Sequence, residues 1–468
     1  MRILFGLVLV LLCANVNAQT KLTPYGVLPA ERQLKWHELE MYVLVHFTPT
    51  TFENKEWGYG DADPRIFNPT QFDANQIVNA VKAGGFKGLI LVAKHHDGFA
   101  LWPTKTTDYN ISKSPFRNGK GDMVKEFEQA CRKAGLEFGV YCSPWDRNSP
   151  VYGTHEYVKK YREQLRELYS NYGKLFMSWH DGANGGDGYY GGAREARKID
   201  RTTYYGWDTT WAMTRKMQPM ASIFSDIGPD ARWVGNEEGF AAETSWATFT
   251  PVPEDGATKV GPGSIKHHNL GTGDRNGVQW TAAECDVPLR PGWFYHKDQD
   301  SKVKTPEKLF ELYLKSVGRG GCLDLGVAPD TRGLLHENDV ASLKAFGELL
   351  NKTFANDLAK QSSGASKALT DNDRYTYATG NEFVMEWKEA KEFDLLRIRE
   401  NIKLGQRVDE FVAEAWVDGA WKEIAKATSV GSARILQFPV VKTNKLRVRI
   451  TRSAVPPAIS EIGVFKKA

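Results

Sequence analysis

Hydrophobic positions between about residues 40 and 350 fall into short apolar runs separated by amphipathic stretches. The apolar runs have the length of buried strands: MYVLVHF (41–47), KGLILVAKHH (87–96), EFGVYCSPW (137–145), KLFMSWHDG (174–182), SIFSD (222–226), ARWVGNE (231–237), VQWTAAECDV (278–287) and GGCLDLGVAPD (320–330). Continuous apolar strands that alternate with helices predict a parallel sheet covered by helices.

The stretches between these strands carry apolar residues at helical spacing. They predict helices over 72–85, 123–135, 155–173, 305–318 and 337–354, several of which end near a glycine that can cap them. About eight strands in roughly 300 residues have the size and rhythm of a (β/α)8 TIM barrel. A doubly wound sheet is the alternative, but no glycine-rich phosphate loop follows the first strand.

The pattern changes after Phe354, where apolar and polar residues alternate and turn signals separate the runs. The dipeptide Asp418–Gly419 is a hairpin signal. We therefore predict a catalytic barrel over 19–355 and a C-terminal antiparallel β-sandwich over 356–468, with the boundary between 350 and 362. A sandwich of this kind is equally compatible with sugar binding and with a packing role.

The first eighteen residues, MRILFGLVLVLLCANVNA, predict a secretory signal peptide. One arginine precedes an apolar run that is too short to anchor the protein, and small residues stand at the cleavage site. A lipoprotein signal would need a small residue before Cys13, where Leu12 stands. We expect an exported protein, periplasmic or secreted, without a transmembrane segment.

The net charge and the aromatic content of the chain limit the kinds of ligand that we expect. The net charge is +4 and no basic stripe is present, so a nucleic-acid partner is not indicated. Aromatic residues make up 12% of the chain, with 14 tryptophans, and this share favours a site that stacks against a flat or apolar ligand face.

Polar and aromatic residues follow most of the predicted barrel strands. In a TIM barrel these strand ends face one common mouth, where loops from distant parts of the sequence meet. The residues brought there are His46, His95, His96, Asp97, Tyr141, Trp145, Asp146, Trp179, His180, Asp181, Asn236, Glu237, Glu238, Glu284 and Asp286.

A metal site is one interpretation of the adjacent histidines His95 and His96. Neighbouring residues of an extended strand point to opposite sides, so both can bind one ion only if the strand breaks there. No HExxH helix is present. We therefore predict neither a metal nor a cofactor.

A sugar ligand fits these residue types better, because histidines, indoles and carboxylates bond hydroxyls and stack on C–H faces. Glycoside hydrolysis needs two carboxyl groups. Asp181 ends a strand and precedes glycines, which makes it the nucleophile candidate. Spacing does not choose the acid among Asp226, Glu237, Glu238 and Glu284.

The chain resembles the α-L-fucosidases of glycoside hydrolase family 29. The pieces that carry the resemblance span about 20–350 and occur in the family's order: LVHF, NKEWGYG, KHHDGFALWPT, GVYCSPWDRN, WHDGANG, RWVGNEEG, AECDVPLRPGWFYH and GCLDLGVAPD. Two of them, GNEEG and AECDVPLRPGWFYH, resemble the subgroup that prefers branched α-1,3/1,4-linked fucose.

The resemblance implies a retaining double displacement with Asp181 as nucleophile and Glu237 as acid/base. The acid must hold a proton near neutral pH, which predicts a less solvated position for it. The resemblance also implies substrate contacts from His46, Trp57, His95, His96 and Tyr141. Further substrate-binding candidates are Glu284 and Trp293, and an aromatic wall for the fucose methyl group could come from Trp293 or Phe294.

The segment 186–211 departs from the family pattern, because it is rich in glycine, tyrosine and basic residues. We predict an enlarged loop that shapes the subsites for the rest of a fucosylated glycan. This loop keeps Glu238 and Glu284 open as alternative acids. Two other functions also stay open: a fucose-binding lectin, or a glycosidase for another 6-deoxy or galacto-configured sugar.

Overall fold

A computed structural model describes residues 21–468, and the predicted signal peptide lies outside these described residues. Eight parallel strands close into a barrel in sequential order, β1 next to β2 and to β8. All eight predicted strands are confirmed: β1 (Met41–Val45), β2 (Gly88–Lys94), β3 (Glu137–Cys142), β4 (Met177–Trp179), β5 (Ser222–Ser225), β6 (Ala231–Trp233), β7 (Ala282–Pro288) and β8 (Cys322–Val327).

The described residues form eight α-helices, and the five predicted from periodicity are among them. They are α1 (Glu31–Leu39), α2 (Pro49–Phe52), α3 (Ala74–Ala83), α4 (Met123–Ala134), α5 (His155–Asn171), α6 (Trp207–Met217), α7 (Pro306–Lys315) and α8 (Glu337–Phe354). Their boundaries follow local chemistry. The Asp122 side chain accepts a hydrogen bond from the Lys125 amide at the start of α4, and Gly135, with φ of +74°, ends that helix.

The barrel departs from strict strand–helix alternation in one region. No α-helix lies between β5 and β6 or between β6 and β7 in this described part of the chain. The second of these connections covers 234–281 and carries a two-stranded ribbon, Thr248–Phe249 with Gln279–Trp280. A long irregular connection therefore replaces a helix on the side of the barrel that holds Glu237.

The C-terminal strands confirm the predicted antiparallel architecture. They are β9 (Glu382–Glu400), β10 (Val408–Val417), β11 (Ala420–Thr428), β12 (Arg434–Ser453) and β13 (Ile459–Phe465), in the order β11-β10-β12-β9-β13. The long strands β9 and β12 pair with each other, and their register shifts at two places. Buried side chains from both strands belong to one hydrophobic core. Asp418 and Gly419 both have positive φ and form the predicted two-residue hairpin turn.

The C-terminal sheet packs against the barrel and against the 234–281 connection. The carboxylate of Glu40, next to β1, accepts hydrogen bonds from Arg374 (2.5 Å) and Arg399 (2.7 Å). The Gln406 side chain bonds the backbone of Ser245 and Ala247. The sheet thus supports the loop that leads from Glu237 toward β7.

The four cysteines of the described residues, Cys131, Cys142, Cys285 and Cys322, are buried free thiols. Among residues 21–468, no helix combines the length and the apolar character that crossing a bilayer requires.

Candidate active site

A cleft with two adjoining lobes lies at the carboxyl end of the barrel strands. The first lobe has a cavity volume of about 130 Å³ and is lined by Leu44, His46, Glu56, Trp57, His95, His96, Tyr141, Trp179, Asp181, Ala183, Glu237, Asp286 and Trp293. The second lobe has a cavity volume of about 340 Å³ and is lined by Trp179, Asp181, Gly182, Ala183, Arg201, Phe224, Asp226, Trp233, Glu237, Glu254, Gly263, His267 and Asp286. Five residues line both lobes, and three of them are carboxylic acids: Asp181, Glu237 and Asp286.

The first lobe brings together most of the predicted site residues. His46 follows β1, His95 and His96 follow β2, and Tyr141 lies on β3, so barrel closure places their rings side by side. The ring centroids of His95 and His96 are 4.1 Å apart, and those of His46 and His95 are 5.5 Å apart. Trp57 is half exposed, with its ring edge-on to His96.

The histidines of the first lobe are neutral. Burial lowers the pKa of His46 and of His96 to about 3 and the pKa of His95 well below its usual value. The hydroxyl of Ser143 donates to the Trp145 carbonyl, so it accepts from His96 Nδ1 at 2.8 Å. This assigns the His96 proton to Nδ1 and leaves Nε2 as an acceptor for a ligand hydroxyl.

Asp181 lies two residues after β4 and is held in a defined orientation. Its Oδ1 accepts a hydrogen bond from the Ala183 amide at 2.6 Å, and its Oδ2 accepts one from the Tyr141 hydroxyl at 3.0 Å. Burial raises the pKa of Asp181, and these two hydrogen bonds oppose the rise. The carboxylate is partly open to the cleft, with a side-chain exposure of 24%, so it is accessible as a nucleophile.

Glu237 occupies the loop after β6, where it lines both lobes. Its Oε2 accepts a hydrogen bond from Trp293 Nε1 at 3.2 Å. The expected less solvated position is not observed, because Glu237 is exposed in the structure. A ligand that fills the cleft would cover this carboxyl.

The other acid candidates lie elsewhere. Glu238 is exposed and lines neither lobe. Asp226 lines only the second lobe, where its Oδ2 accepts from the Gly263 amide at 2.7 Å and burial raises its pKa to about 7.

Glu284, one of the predicted substrate-binding residues, lies on β7 behind the wall of the cleft. Its carboxylate accepts hydrogen bonds from Tyr42 and from Trp179 Nε1, the latter at 2.6 Å. It is fully buried and lines neither lobe. Asp286 lies two residues closer to the carboxyl end of β7, on the same side of the strand, and it occupies the cleft wall instead.

Trp293 and Phe294, the two candidates for an aromatic wall, also differ in whether they line the cleft. Trp293 lines the first lobe, and its ring packs over Gly326, where a Cβ would lie 2.5 Å from the indole. Any larger residue at that position would displace the indole. Phe294 is fully buried behind the lobe, 5.3 Å from His46 and 5.0 Å from His95 between ring centroids. Only Trp293 can contact a ligand directly.

Sequence reasoning missed Glu56, which lines the first lobe. Its carboxylate accepts from the amides of Trp293 (2.8 Å) and Phe294 (3.3 Å), and it lies 2.6 Å from His296 Nε2. Glu56 ties the loop after β1 to the loop after β7. Its position directly before Trp57 was the available signal.

The predicted loop over 186–211 forms a short hairpin, Gly186–Gly188 with Glu195–Arg197, and then enters α6. The Trp145 indole donates to the Tyr190 hydroxyl at 2.9 Å and anchors the hairpin to the loop after β3. Arg201 follows the hairpin, lines the second lobe and donates to the Gly263 carbonyl at 2.6 Å.

His180 points away from the cleft. It is fully buried, and its ring nitrogens lie 2.7 Å from the Tyr161 hydroxyl and 3.1 Å from Ser178 Oγ. Its ring packs against Tyr161 of α5, and the residue lines neither lobe.

The lining residues fit a sugar: neutral histidines and carboxylates for hydroxyls, and indoles for C–H faces. No group of histidine, cysteine or acidic side chains in residues 21–468 has the arrangement of a metal site.

Comparison with known proteins agrees with this geometry. A family model described as "Alpha-L-fucosidase" matches residues 23–354. The chain is 38% identical to α-L-fucosidase 1 of Arabidopsis thaliana over 476 aligned residues, covering 96% of this chain and 90% of the relative.

Two solved structures are similar over nearly the whole fold. A glycoside hydrolase family 29 member from an unknown rumen bacterium has a TM-score of 0.87 and 40% identity, with 95% of this chain and 78% of that chain covered. A family 29 fucosidase of Ruminococcus gnavus, solved in complex with fucose, has a TM-score of 0.83 and 27% identity, with 96% and 97% covered. The chain therefore belongs to the α-L-fucosidase family, glycoside hydrolase family 29, and is an α-L-fucosidase.

Proposed function

We propose that the protein is an exported, retaining exo-α-L-fucosidase that releases terminal α-1,3/1,4-linked fucose from branched oligosaccharides and glycoconjugates. The observation that carries the proposal is the position of Asp181 and Glu237, both of which line both lobes of one cleft. A bond between fucose in the first lobe and a second sugar in the second lobe would run past both carboxyls. The fucose-bound Ruminococcus gnavus relative supports fucose as the ligand of the first lobe.

The reaction proceeds in two steps. Asp181 attacks the anomeric carbon of fucose, the glycosidic C–O bond breaks, and Glu237 gives its proton to the departing oxygen. Water then attacks the fucosyl–Asp181 ester while Glu237 takes a proton from that water, and the aspartate is released. Fucose leaves with its original anomeric configuration.

First-lobe contacts hold the fucose ring. His95 and His96 are neutral and buried, so they bond hydroxyls without placing a positive charge beside Asp181, and His96 does so as an acceptor through Nε2. The indole of Trp293 provides an apolar wall for the fucose methyl group.

The exposure of Glu237 supports a preference for branched glycans. A leaving-group sugar in the second lobe would cover this exposed carboxyl and exclude water from it. A small aryl leaving group would fill less of that lobe. We therefore expect efficient hydrolysis only when the second lobe is occupied.

The test is fucose release by the wild-type protein from a Lewis-type trisaccharide and from 2'-fucosyllactose, with proton NMR of the first anomer formed. We expect rapid release from the trisaccharide, slow release from 2'-fucosyllactose and initial formation of the α anomer. Initial formation of the β anomer would overturn the retaining mechanism, and preference for 2'-fucosyllactose would overturn the linkage. N-terminal sequencing of the exported protein would test cleavage after Ala18.

A further inference from the structure

A third carboxyl lies where the two lobes meet, beside the two that the reaction uses. Asp286 lines both lobes, as Asp181 and Glu237 do. A double displacement needs only two carboxyl groups, so the mechanism leaves Asp286 without a role. Asp286 is only 5% exposed, and it is therefore the most buried acid of the cleft wall.

The groups packed around Asp286 are acidic or neutral. On its own strand, Glu284 lies two residues deeper in the barrel. On β8, Asp324 is its register neighbour. The other titratable groups that interact electrostatically with this cluster come from β1, β7, β8 and the loop after β6, and they are Tyr42, Cys285, Cys322 and Glu237. Within residues 21–468, no lysine, arginine or histidine forms an ion pair with Asp286, Glu284 or Asp324.

The carboxyl groups of Glu284, Asp286 and Asp324 accept different numbers of hydrogen bonds. Glu284 accepts from Tyr42 and Trp179, and Asp286 Oδ1 accepts from Trp233 Nε1 at 2.9 Å. Among the described residues, the fully buried carboxyl of Asp324 accepts no hydrogen bond from an amide, indole or hydroxyl donor, and its only side-chain partner is the carboxyl of Glu284. A buried carboxylate without a cation or enough donors is strongly disfavoured relative to its neutral form.

The pKa directions agree with this geometry. Burial, and then the charge of Glu284, raise the pKa values of both Asp286 and Asp324 well above the usual range for aspartate. Glu237 adds to the effect at Asp286.

We propose that Asp286 is a third functional carboxyl of the cleft, which keeps its proton and donates a hydrogen bond from Oδ2 to a substrate oxygen where the two lobes meet. A neutral acid binds a hydroxyl or ring oxygen there without adding a negative charge beside the nucleophile. Glu284 and Asp324 are positioning residues that keep the proton on Asp286. The inference rests on the proposed fucosidase function.

The experiment compares Asp286→Asn with Asp286→Ala, since asparagine keeps a neutral hydrogen-bond donor and alanine removes it. We expect kcat/KM on the trisaccharide to stay within about threefold of wild type for Asp286→Asn and to fall about 10- to 100-fold for Asp286→Ala. Thermal unfolding of each variant controls for folding, and Asp286→Leu, which also lacks a donor and is close in size to asparagine, replaces the alanine variant if that one does not fold.

A second readout separates a functional proton from a structural role. Trisaccharide binding to the inactive Asp181→Ala protein is measured by calorimetry between about pH 5 and pH 9. We expect affinity to fall at the alkaline end, as Asp286 loses its proton, and we expect that fall to disappear in Asp181→Ala/Asp286→Asn. Infrared absorption of protonated carboxyl groups at neutral pH should decrease in Asp286→Asn relative to wild type.

Three results would overturn the inference: an asparagine variant as damaged as the alanine variant, an alanine variant with full activity, or an alkaline loss of affinity that persists with asparagine. Failure of the proposed function looks different, because wild type would then release no fucose and the Asp181→Ala protein would not bind the trisaccharide.

Discussion

The two lobes of the cleft share their central carboxyls but differ in how their outer walls are built. His46, His95 and His96 stand directly after barrel strands and are buried. Arg201 and Glu254, by contrast, lie in long connections and are exposed. A wall made of strand ends is held in place by the closed barrel, whereas a wall made of loops can vary without disturbing the fold.

This difference assigns different tasks to the two lobes. The first lobe is suited to one sugar, recognised by fixed neutral donors and acceptors. The second lobe is suited to a leaving group that varies among glycans. The Gly263 backbone links its parts, because its amide donates to Asp226 and its carbonyl accepts from Arg201.

We expect the largest loss of activity from a change to Asp181, one of the carboxyls that line both lobes. Asp181→Asn should lower kcat by roughly 10⁴-fold or more on a trisaccharide and on an aryl fucoside alike, because bond formation to carbon is lost whichever lobe is filled. Fucose release measures the loss, and calorimetry should still detect fucose binding. Asp108→Asn, which changes a 95% exposed carboxyl, is the matched control with wild-type activity. Substantial residual hydrolysis would assign the nucleophile to another residue.

The next effect should depend on the leaving group. Glu237→Gln should slow trisaccharide hydrolysis about 10²- to 10⁴-fold, the usual range for loss of a general acid. An aryl fucoside with a good leaving group needs no proton, so its bond cleavage should suffer much less. Azide should restore product formation from the aryl substrate as fucosyl azide. The adjacent Glu238→Gln serves as control, and an equal loss in that variant would contradict the assignment of Glu237.

A matched pair of variants tests the division of tasks directly. Arg201→Ala should lower kcat/KM about tenfold for the trisaccharide and leave the aryl fucoside unchanged, since a hydrogen bond to a charged group contributes about 1.5–3 kcal/mol. Glu56→Gln should lower both, because it loosens the loop that presents Trp293 to fucose. Steady-state kinetics on both substrates provides the comparison. Equal losses on both substrates for Arg201→Ala would remove the distinction between the lobes.

The smallest effect concerns pH. His46 and His96 have folded pKa values of about 3, below the unfolded value of about 6.5. Fucose binding to the Asp181→Ala protein should therefore not change through histidine protonation between pH 7 and pH 5. Below about pH 6.5 the unfolded state binds more protons, so these groups should reduce the free energy of unfolding as the pH falls toward 3.

Calorimetry and thermal unfolding across this range test both parts of the pH prediction. A loss of fucose affinity with a midpoint near pH 6 would mean that the first-lobe histidines are charged there.

Much of this architecture could be predicted from local pattern. Apolar runs of strand length located all eight barrel strands, and helical spacing located the five helices predicted between and after them. Histidines directly after β1 and β2 were placed in the first lobe by barrel topology alone. These predictions succeed because side-chain periodicity along the chain defines each strand and helix. In a parallel barrel, the common strand direction then places all carboxyl ends of the strands on one face.

Other features needed the folded molecule. Glu284 and Asp286 both follow the pattern of an inward-facing strand residue, but only the depth of each in the barrel places Asp286 on the cleft and Glu284 below it. The same holds for Trp293 and Phe294, of which only one faces a ligand. No local sequence pattern predicted that the connection 234–281 lacks an α-helix or that it contacts the C-terminal sheet.

The sequence by itself determined the barrel, the strand ends that supply the chemistry and the family of the protein, because each depends on residue type and spacing along the chain. Only the tertiary structure decided which carboxyls share the cleft, how exposed each one is and what second lobe adjoins them. Those properties depend on distances between residues far apart in sequence and on the exclusion of water, and neither is encoded at any single position.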